Sequence, residues 1–297
     1  MTHEVPEYRK AFGATHTSAS GATQPVYEHM LKLRLRKEHK MQFPFAARPR
    51  AGQIVQMIAD LAMGVYEYNP ERGIVQPMVL EDAVRRGMNE FNFYKPRDWD
   101  GGKDIEEFQA MKEVIPIMAQ HAFDGLMEQY ALVADFEGEF QRWHHDPRID
   151  VPTMLFCDYT GGGWQTDLKC SFPLRNPPRK DGTRTWRAPA PRTAPTEQQL
   201  MQQAVYYKAT GLRPSLLYVT PKGYNLVTEV EAPELKAANL EIVFEQVVQR
   251  WMVHQNLFKA AEGSWNKLFG MVVPNYAEIS TRHGPEILNI AKNVWRI

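Results

Sequence analysis

Three consecutive glycines, Gly161 to Gly163, are the feature that most constrains how this chain can fold. They separate two short apolar segments, 151–159 and 163–170. Short apolar runs around a glycine turn are typical of neighbouring strands, so we predict an antiparallel hairpin here. In such a hairpin, Asp158 ends one strand and Asp167 lies in the next, nine positions later. The hairpin would therefore bring both carboxylates to one end of a sheet.

The spacing Asp167-x-Lys169 adds an amine to the two carboxylates. Residues two apart in a strand point to the same face, so Lys169 should lie beside Asp167. Magnesium prefers oxygen ligands and usually takes one or two carboxylates together with phosphate and water. A nearby divalent cation should lower the pKa of Lys169 and suit it to orient or deprotonate an attacking water. The alternative interpretation is a solvated Asp/Lys pair on a half-exposed strand.

The rest of the chain predicts helices before and after a group of strands. A loose or partner-dependent arm is expected at 1–24, and a long loop without a pattern of its own at 171–196. Thr196 should cap one helix and Gly211 should end it, whereas Pro116 should kink or interrupt another. Predicted helices are 25–42 (helical or extended, and basic), 51–67, 80–93, 104–134, 197–211 and 233–260; predicted strands are 135–143, 151–159, 163–170, 214–220 and 224–230. This order favours an α/β fold, a mixed central β-sheet flanked by helices.

Composition excludes several classes of function. The 297 residues have a formal net charge of zero, so attraction to nucleic acid must come from local basic patches. No run approaches the roughly 18 apolar residues of a membrane helix, and no secretory signal opens the chain. The only cysteines, Cys157 and Cys170, are interpreted as buried strand thiols. No GxxxxGK[ST] motif for a nucleotide occurs, and we expect a cytoplasmic protein.

Three segments in order resemble a known family. They are Leu155-Phe156-Cys157-Asp158, Thr166-Asp167-Leu168-Lys169 and the spacing Gln202-x-x-x-Tyr206. Together they resemble the PD-(D/E)xK nuclease superfamily, most closely its RecB-like and Cas4-like branch, which includes phage exonucleases. The resemblance is close over 135–230 and weak over 51–67. At 51–67 the family often has Gly-x-x-x-His, where this chain has Gly52 and Gln56.

The resemblance implies a site for Mg²⁺ or Mn²⁺. Asp158, Asp167 and the Leu168 carbonyl would bind the ion, Lys169 would serve the water, and Gln202 and Tyr206 would line the DNA side. A second ion would depend on Gln56 or Glu139 replacing the missing histidine. Glu139 is equally interpretable as a solvated strand residue. Some relatives hold an iron–sulfur cluster through four cysteines, which two cysteines cannot do alone.

The resemblance also implies an overall plan and a function. One nuclease domain would span 1–297, with a restriction-endonuclease-like core at 135–230, a helical wall at 1–134 and a helical extension at 231–297. The expected activity is exonucleolytic hydrolysis of DNA in phage recombination or degradation. Its substrate would be linear duplex ends or single strands, and its partners a second copy of the chain or a recombination protein. The alternatives are a structure-specific endonuclease, an RNA-directed member, or a non-catalytic DNA-binding or assembly module.

Two further patterns leave alternatives open. Gln202/Tyr206 and Gln203/Tyr207 share one spacing, and since residues four apart share a helix face, only one pair is expected to face the site; we prefer the first pair. The loop after Lys169 is basic and contains a tryptophan, which suits single-stranded DNA, although a disordered surface loop would look the same. Its candidate DNA-binding residues are Arg175, Arg179, Lys180, Arg184, Trp186 and Arg187.

Overall fold

The protein is a mixed α/β structure with small mixed sheets and many helices. The computed structural model describes residues 4–21, 24–41, 46–65, 76–98, 101–177, 179–180 and 185–296. Its α-helices are α1 Glu7–Lys10, α2 Val26–Arg34, α3 Ala47–Met63, α4 Leu80–Asn92, α5 Lys103–Tyr130, α6 Glu197–Thr210, α7 Ala237–Ala261, α8 Trp265–Gly270 and α9 Tyr276–Val294. Its strands are β1 Thr17–Ser18, β2 Phe140–His144, β3 Thr153–Cys157, β4 Tyr159–Gly161, β5 Trp164–Cys170, β6 Leu174–Arg175, β7 Trp186–Arg187, β8 Arg213–Thr220 and β9 Gly223–Val227.

The predicted hairpin is present as β4 and β5. Tyr159 pairs with Thr166 and Gly161 with Trp164, so continuing the register by one position sets Asp158 opposite Asp167. The turn needs its glycines, because Gly162 and Gly163 have φ angles of 56° and 79°, a region that other residues rarely adopt.

The prediction of one strand over 151–159 requires the apolar segment before Asp158 to belong to the same sheet as the hairpin. It does not. Instead β3 belongs to a three-stranded sheet of order β1-β3-β2, whereas β4 belongs to a four-stranded sheet of order β4-β5-β8-β9. Asp158 is the single residue between Cys157, which ends β3, and Tyr159, which begins β4. One candidate ligand therefore lies at the junction of two sheets.

Helices cover both faces of the four-stranded sheet. Tyr159, Leu168 and Leu217 belong to a hydrophobic cluster that includes α3 and α5. On the other face, Leu216 and Tyr218 of β8 pack with Leu200 of α6. The connection from β5 to its parallel neighbour β8 runs through α6, so that helix lies directly over the face that carries Asp167 and Lys169.

Helix α6 begins and ends where the sequence predicts. The Thr196 side chain accepts a hydrogen bond from the Gln199 backbone, and the Gln199 side chain accepts one from the Thr196 backbone. This reciprocal capping box satisfies amide groups that a helix start leaves without partners. Gly211 ends the helix with a φ angle of 71°, a left-handed cap that glycine adopts at little cost.

The prediction of a loose N-terminal arm is wrong for the described residues 4–21. Thr17 and Ser18 form β1 and pair in parallel with β3. Phe12 is completely buried, and the buried Arg9 guanidinium lies 2.7 Å from an Asp150 carboxylate oxygen. The small-residue composition hides this order because the stabilising contacts come from distant parts of the chain.

Three smaller differences concern element bounds. Helix α5 continues through Pro116 without interruption, and the helix predicted at 51–67 begins earlier, at Ala47, and ends at Met63. The loop predicted at 171–196 contains a short ladder of β6 with β7. The basic segment after Pro25 is helical, with α2 followed by a π-helical turn over Leu35–His39. Within the described residues, no helix combines the length and apolar character that crossing a membrane requires.

Candidate active site

The two predicted carboxylates face each other beneath α6. Asp167 is buried in the middle of β5, and Asp158 accepts a hydrogen bond of 2.8 Å from the Leu168 backbone N–H. Burial, followed by the negative charge of Asp167 and a hydrogen bond between the two carboxyl groups, raises the pKa of Asp158 well above its usual range. Two carboxylates held this closely disfavour a second negative charge.

Lys169 lies against the carboxylate pair, as predicted. Its Nζ is 2.5 Å from Asp167 Oδ2 and donates to Gln202 Oε1 at 3.0 Å. Burial lowers the pKa of Lys169, but the charges of Asp167 and Asp158 outweigh it, so the net shift is upward. The chain's own groups therefore keep Lys169 a charged ammonium at neutral pH.

The Gln202-x-x-x-Tyr206 pair also faces this cluster. Gln202 Nε2 donates to the Tyr206 hydroxyl at 2.7 Å, which turns the Gln202 carbonyl oxygen toward Lys169. Tyr206 is buried, and burial raises the pKa of its hydroxyl, so the group stays neutral. Tyr206, Gln202 and the Lys169 ammonium are thus joined in one chain of hydrogen bonds.

Gln203 is a site residue that the sequence interpretation missed. Its Nε2 donates to Asp167 Oδ2 at 3.0 Å, and its side chain is completely buried. The preferred pair Gln202/Tyr206 faces the site. Gln203 also reaches it, whereas Tyr207 packs against a hydrophobic cluster that includes α7. Asp167 and Lys169 lie about 6.6 Å apart along the strand, so two consecutive glutamines on α6 each reach a different one of them. Two Gln-x-x-x-Tyr spacings in tandem were the available signal.

A cleft of about 770 Å³ opens beside this cluster. Gln56 from α3 and Leu168 and Lys169 from β5 lie on its wall, together with Arg48 and Arg192. The structure thus brings Gln56 to the same cleft as Lys169, although the two come from opposite faces of the sheet. Asp158 and Asp167 lie behind Lys169 rather than on the wall itself.

Continuing the register of β2 with β3 by one position sets Glu139 opposite Asp158, but no side-chain contact of Glu139 with either aspartate is present among the described residues. Glu139 is exposed, and its charge acts on the buried Asp60 of α3, whose pKa is about 7, chiefly because of burial. Asp60 in turn accepts a hydrogen bond of 2.6 Å from the Tyr159 hydroxyl. In the described part of the chain, no group of three or more His, Cys, Asp or Glu side chains is arranged to hold a metal ion. Any metal site here therefore depends on the two aspartates together with backbone or amide oxygens.

The candidate DNA-binding residues differ in how available they are. Arg175 pairs with Glu106 of α5, so its charge is already matched. Arg179, Lys180 and Arg187 are exposed, and Trp186 is half-buried in β7. Arg184 lies outside the described residues.

The two cysteines behave as the sequence interpretation expects of strand thiols. Cys157 is buried and Cys170 half-buried. Burial raises the pKa of each thiol to about 12. Both therefore stay protonated at neutral pH and are poor nucleophiles.

Comparisons of this chain with protein family models, with curated proteins and with solved structures return no match.

Proposed function

We propose that this protein is a divalent-metal-dependent nuclease that hydrolyses phosphodiester bonds in DNA, with a PD-(D/E)xK-type core. The observation that carries the proposal is the placement of Asp158 opposite Asp167, with Lys169 2.5 Å from Asp167 at the wall of an open cleft. Two facing carboxyl groups disfavour a second negative charge, and a divalent cation in place of the proton between them would relieve that repulsion.

The donor set fits a hard cation such as Mg²⁺ or Mn²⁺. Asp158 and Asp167 supply carboxylate oxygens, the Leu168 carbonyl is the proposed third ligand, and Gln56 lies on the same cleft as a neutral oxygen donor. Mg²⁺ commonly takes only one or two protein carboxylates and completes its shell with water and substrate phosphate. When bound, such an ion would neutralise charge on the phosphate and acidify a water molecule.

The chain's own residues would position the substrate and the attacking water. Lys169 presents its ammonium at the cleft, where it can bind a phosphate oxygen or orient water. Gln202 fixes that ammonium from behind, and Tyr206 fixes the orientation of the Gln202 amide. Arg192 adds positive charge to the cleft wall, which suits the phosphate backbone of DNA. Arg48 lies on the same wall but is ion-paired with Glu107.

End-labelled linear DNA and closed circular DNA, each incubated with Mg²⁺ or Mn²⁺, test the proposal. An exonuclease degrades only the linear substrate, whereas nicking of the circle indicates an endonuclease. We expect Lys169→Ala to lose at least about 100-fold in cleavage rate, the size of effect seen when a group that orients or protonates at the reaction centre is removed.

A matched lysine provides the control. Lys222 is exposed in the turn between β8 and β9, so Lys222→Ala should cleave as the wild type does. Absence of cleavage by the wild-type protein with either ion, or unchanged cleavage by Lys169→Ala, would refute the proposal. Binding of DNA without cleavage would instead favour a non-catalytic DNA-binding module.

A further inference from the structure

Gln203 donates a hydrogen bond to one oxygen of the Asp167 carboxylate. Its Nε2 donates to Asp167 Oδ2 at 3.0 Å, and Lys169 Nζ approaches the same oxygen at 2.5 Å. Among the described residues, no N–H donor is recorded on the other oxygen, Oδ1. Two N–H donors on one oxygen fix the rotamer of Asp167, and a cation that binds between the two aspartates would displace the proton of their hydrogen bond.

Of the two polar groups of the Gln203 amide, the Nε2 donor has a hydrogen-bond partner and the Oε1 acceptor has none in the described structure. The residue is completely buried, and its Oε1 atom has no hydrogen-bond partner in the described structure. A buried carbonyl without a partner is unfavourable, and such groups call for an explanation. Turning the amide over would place its oxygen against the Asp167 carboxylate, which is worse. The orientation of Gln203 is therefore determined by Asp167.

We propose that Gln203 is a positioning residue that orients Asp167 for divalent-cation binding. This inference rests on the proposed nuclease function. It assigns Gln203 a role distinct from that of Gln202, which contacts Lys169. Groups that hydrogen-bond a metal-ligating carboxylate commonly change metal affinity by about 10- to 100-fold when removed.

Gln165 provides a closely matched control. It is also completely buried and lies on the same face of β5, two positions before Asp167. Its Oε1 accepts from Cys157 Sγ and from the Thr210 hydroxyl, and no contact with the carboxylate pair is recorded. Replacing either glutamine by methionine keeps the volume and removes one buried amide, so general destabilisation should be similar.

Calorimetric titration of the full chain with Mn²⁺, without DNA, tests the inference. We expect Gln203→Met to bind Mn²⁺ about 10- to 100-fold more weakly than the wild type, while Gln165→Met binds as the wild type does. In DNA cleavage, the Mn²⁺ concentration for half-maximal rate should rise by the same factor in Gln203→Met. If that variant does not fold, Gln203→Asn carries the same test, because it withdraws the amide from Asp167 by one methylene.

The outcomes separate the two proposals. A wild type that binds Mn²⁺ and a Gln203 variant that binds it equally well overturn the inference alone. Equal weakening in Gln203→Met and Gln165→Met also overturns it, because the effect would then come from loss of packing. A wild type that binds no Mn²⁺ overturns both the inference and the metal-dependent nuclease assignment.

Discussion

The fold disfavours ionisation of Asp158, so Asp158→Asn is expected to stabilise the protein while abolishing the proposed cleavage. The pKa of Asp158 is raised by burial and then by Asp167. Asparagine is isosteric and neutral, and its side-chain oxygen can still accept from the Leu168 N–H. The substitution therefore removes an unfavourable charge and keeps the contact.

The size of the effect follows from opposing influences. Replacing a buried cluster of charged groups by well-packed neutral residues is often neutral or stabilising by about 1–4 kcal/mol. The charge of Lys169 and the N–H of Leu168 both favour the ionised form of Asp158. We therefore expect a gain near the lower end, about 1–2 kcal/mol at neutral pH.

The gain should depend on pH in a defined direction. The unfolded chain releases the Asp158 proton near pH 3.9, whereas the folded protein holds it to higher pH because its pKa is raised. Between the two pKa values the folded state binds more protons, so wild-type stability falls as pH rises. The advantage of Asp158→Asn should be absent below about pH 4, grow above it, and level off beyond the folded-state pKa.

Urea unfolding followed by tryptophan fluorescence, from about pH 4 to about pH 8, measures this difference. The exposed Asp98→Asn serves as the control and should show no such trend. Added Mn²⁺ at about 100 times its dissociation constant should stabilise the wild type by about 2.7 kcal/mol and the Asp158→Asn protein by much less. A variant that is less stable than the wild type at neutral pH, or a difference that does not change with pH, would refute this reasoning.

Other predictions concern the groups that support the site, and all are measured by urea unfolding. Tyr159→Phe leaves the buried Asp60 carboxylate without its 2.6 Å donor and should lower the free energy of unfolding by about 1–3 kcal/mol. This loss should grow as the pH rises past about 7, the Asp60 pKa. A loss of stability that shrinks with rising pH would contradict the prediction. Arg9→Met leaves Asp150 without its ion-pair partner and should cost roughly 3 kcal/mol, most of which Arg9→Met/Asp150→Asn should recover if the unpaired charge is the cause. Thr196→Ala removes the cap of α6 and should cost about 1 kcal/mol, whereas an unchanged stability would show that packing alone fixes the start of that helix.

Local chemistry made parts of the site predictable. The hairpin follows from the consecutive glycines, and the bounds of α6 follow from Thr196 and Gly211, because turns and caps depend on residues close in sequence. The pairing of Asp158 with Asp167 follows from the same hairpin register. These features need no knowledge of the rest of the fold.

Other parts depend on tertiary contacts and left little trace in the sequence. The chain changes sheets at Asp158 through a single residue, which no composition signal marks. The contact of Gln203 with Asp167 depends on how α6 lies over β5. Helix-face periodicity alone predicts that only one of the two adjacent glutamines faces the site. The Asp60–Tyr159 hydrogen bond joins residues 99 positions apart, so neither residue can be predicted from the sequence around the other.

The junction at Asp158 makes the site sensitive to the beginning of the chain. Strand β1 extends the sheet that contains β3, and β3 ends immediately before Asp158. The hairpin register sets Asp158 opposite Asp167, whereas β3 and its partner β1 constrain the chain on the other side of Asp158. A purification tag or truncation that displaces β1 would therefore act on the proposed nuclease activity from a distance, and C-terminal tagging is the safer choice for measuring that activity.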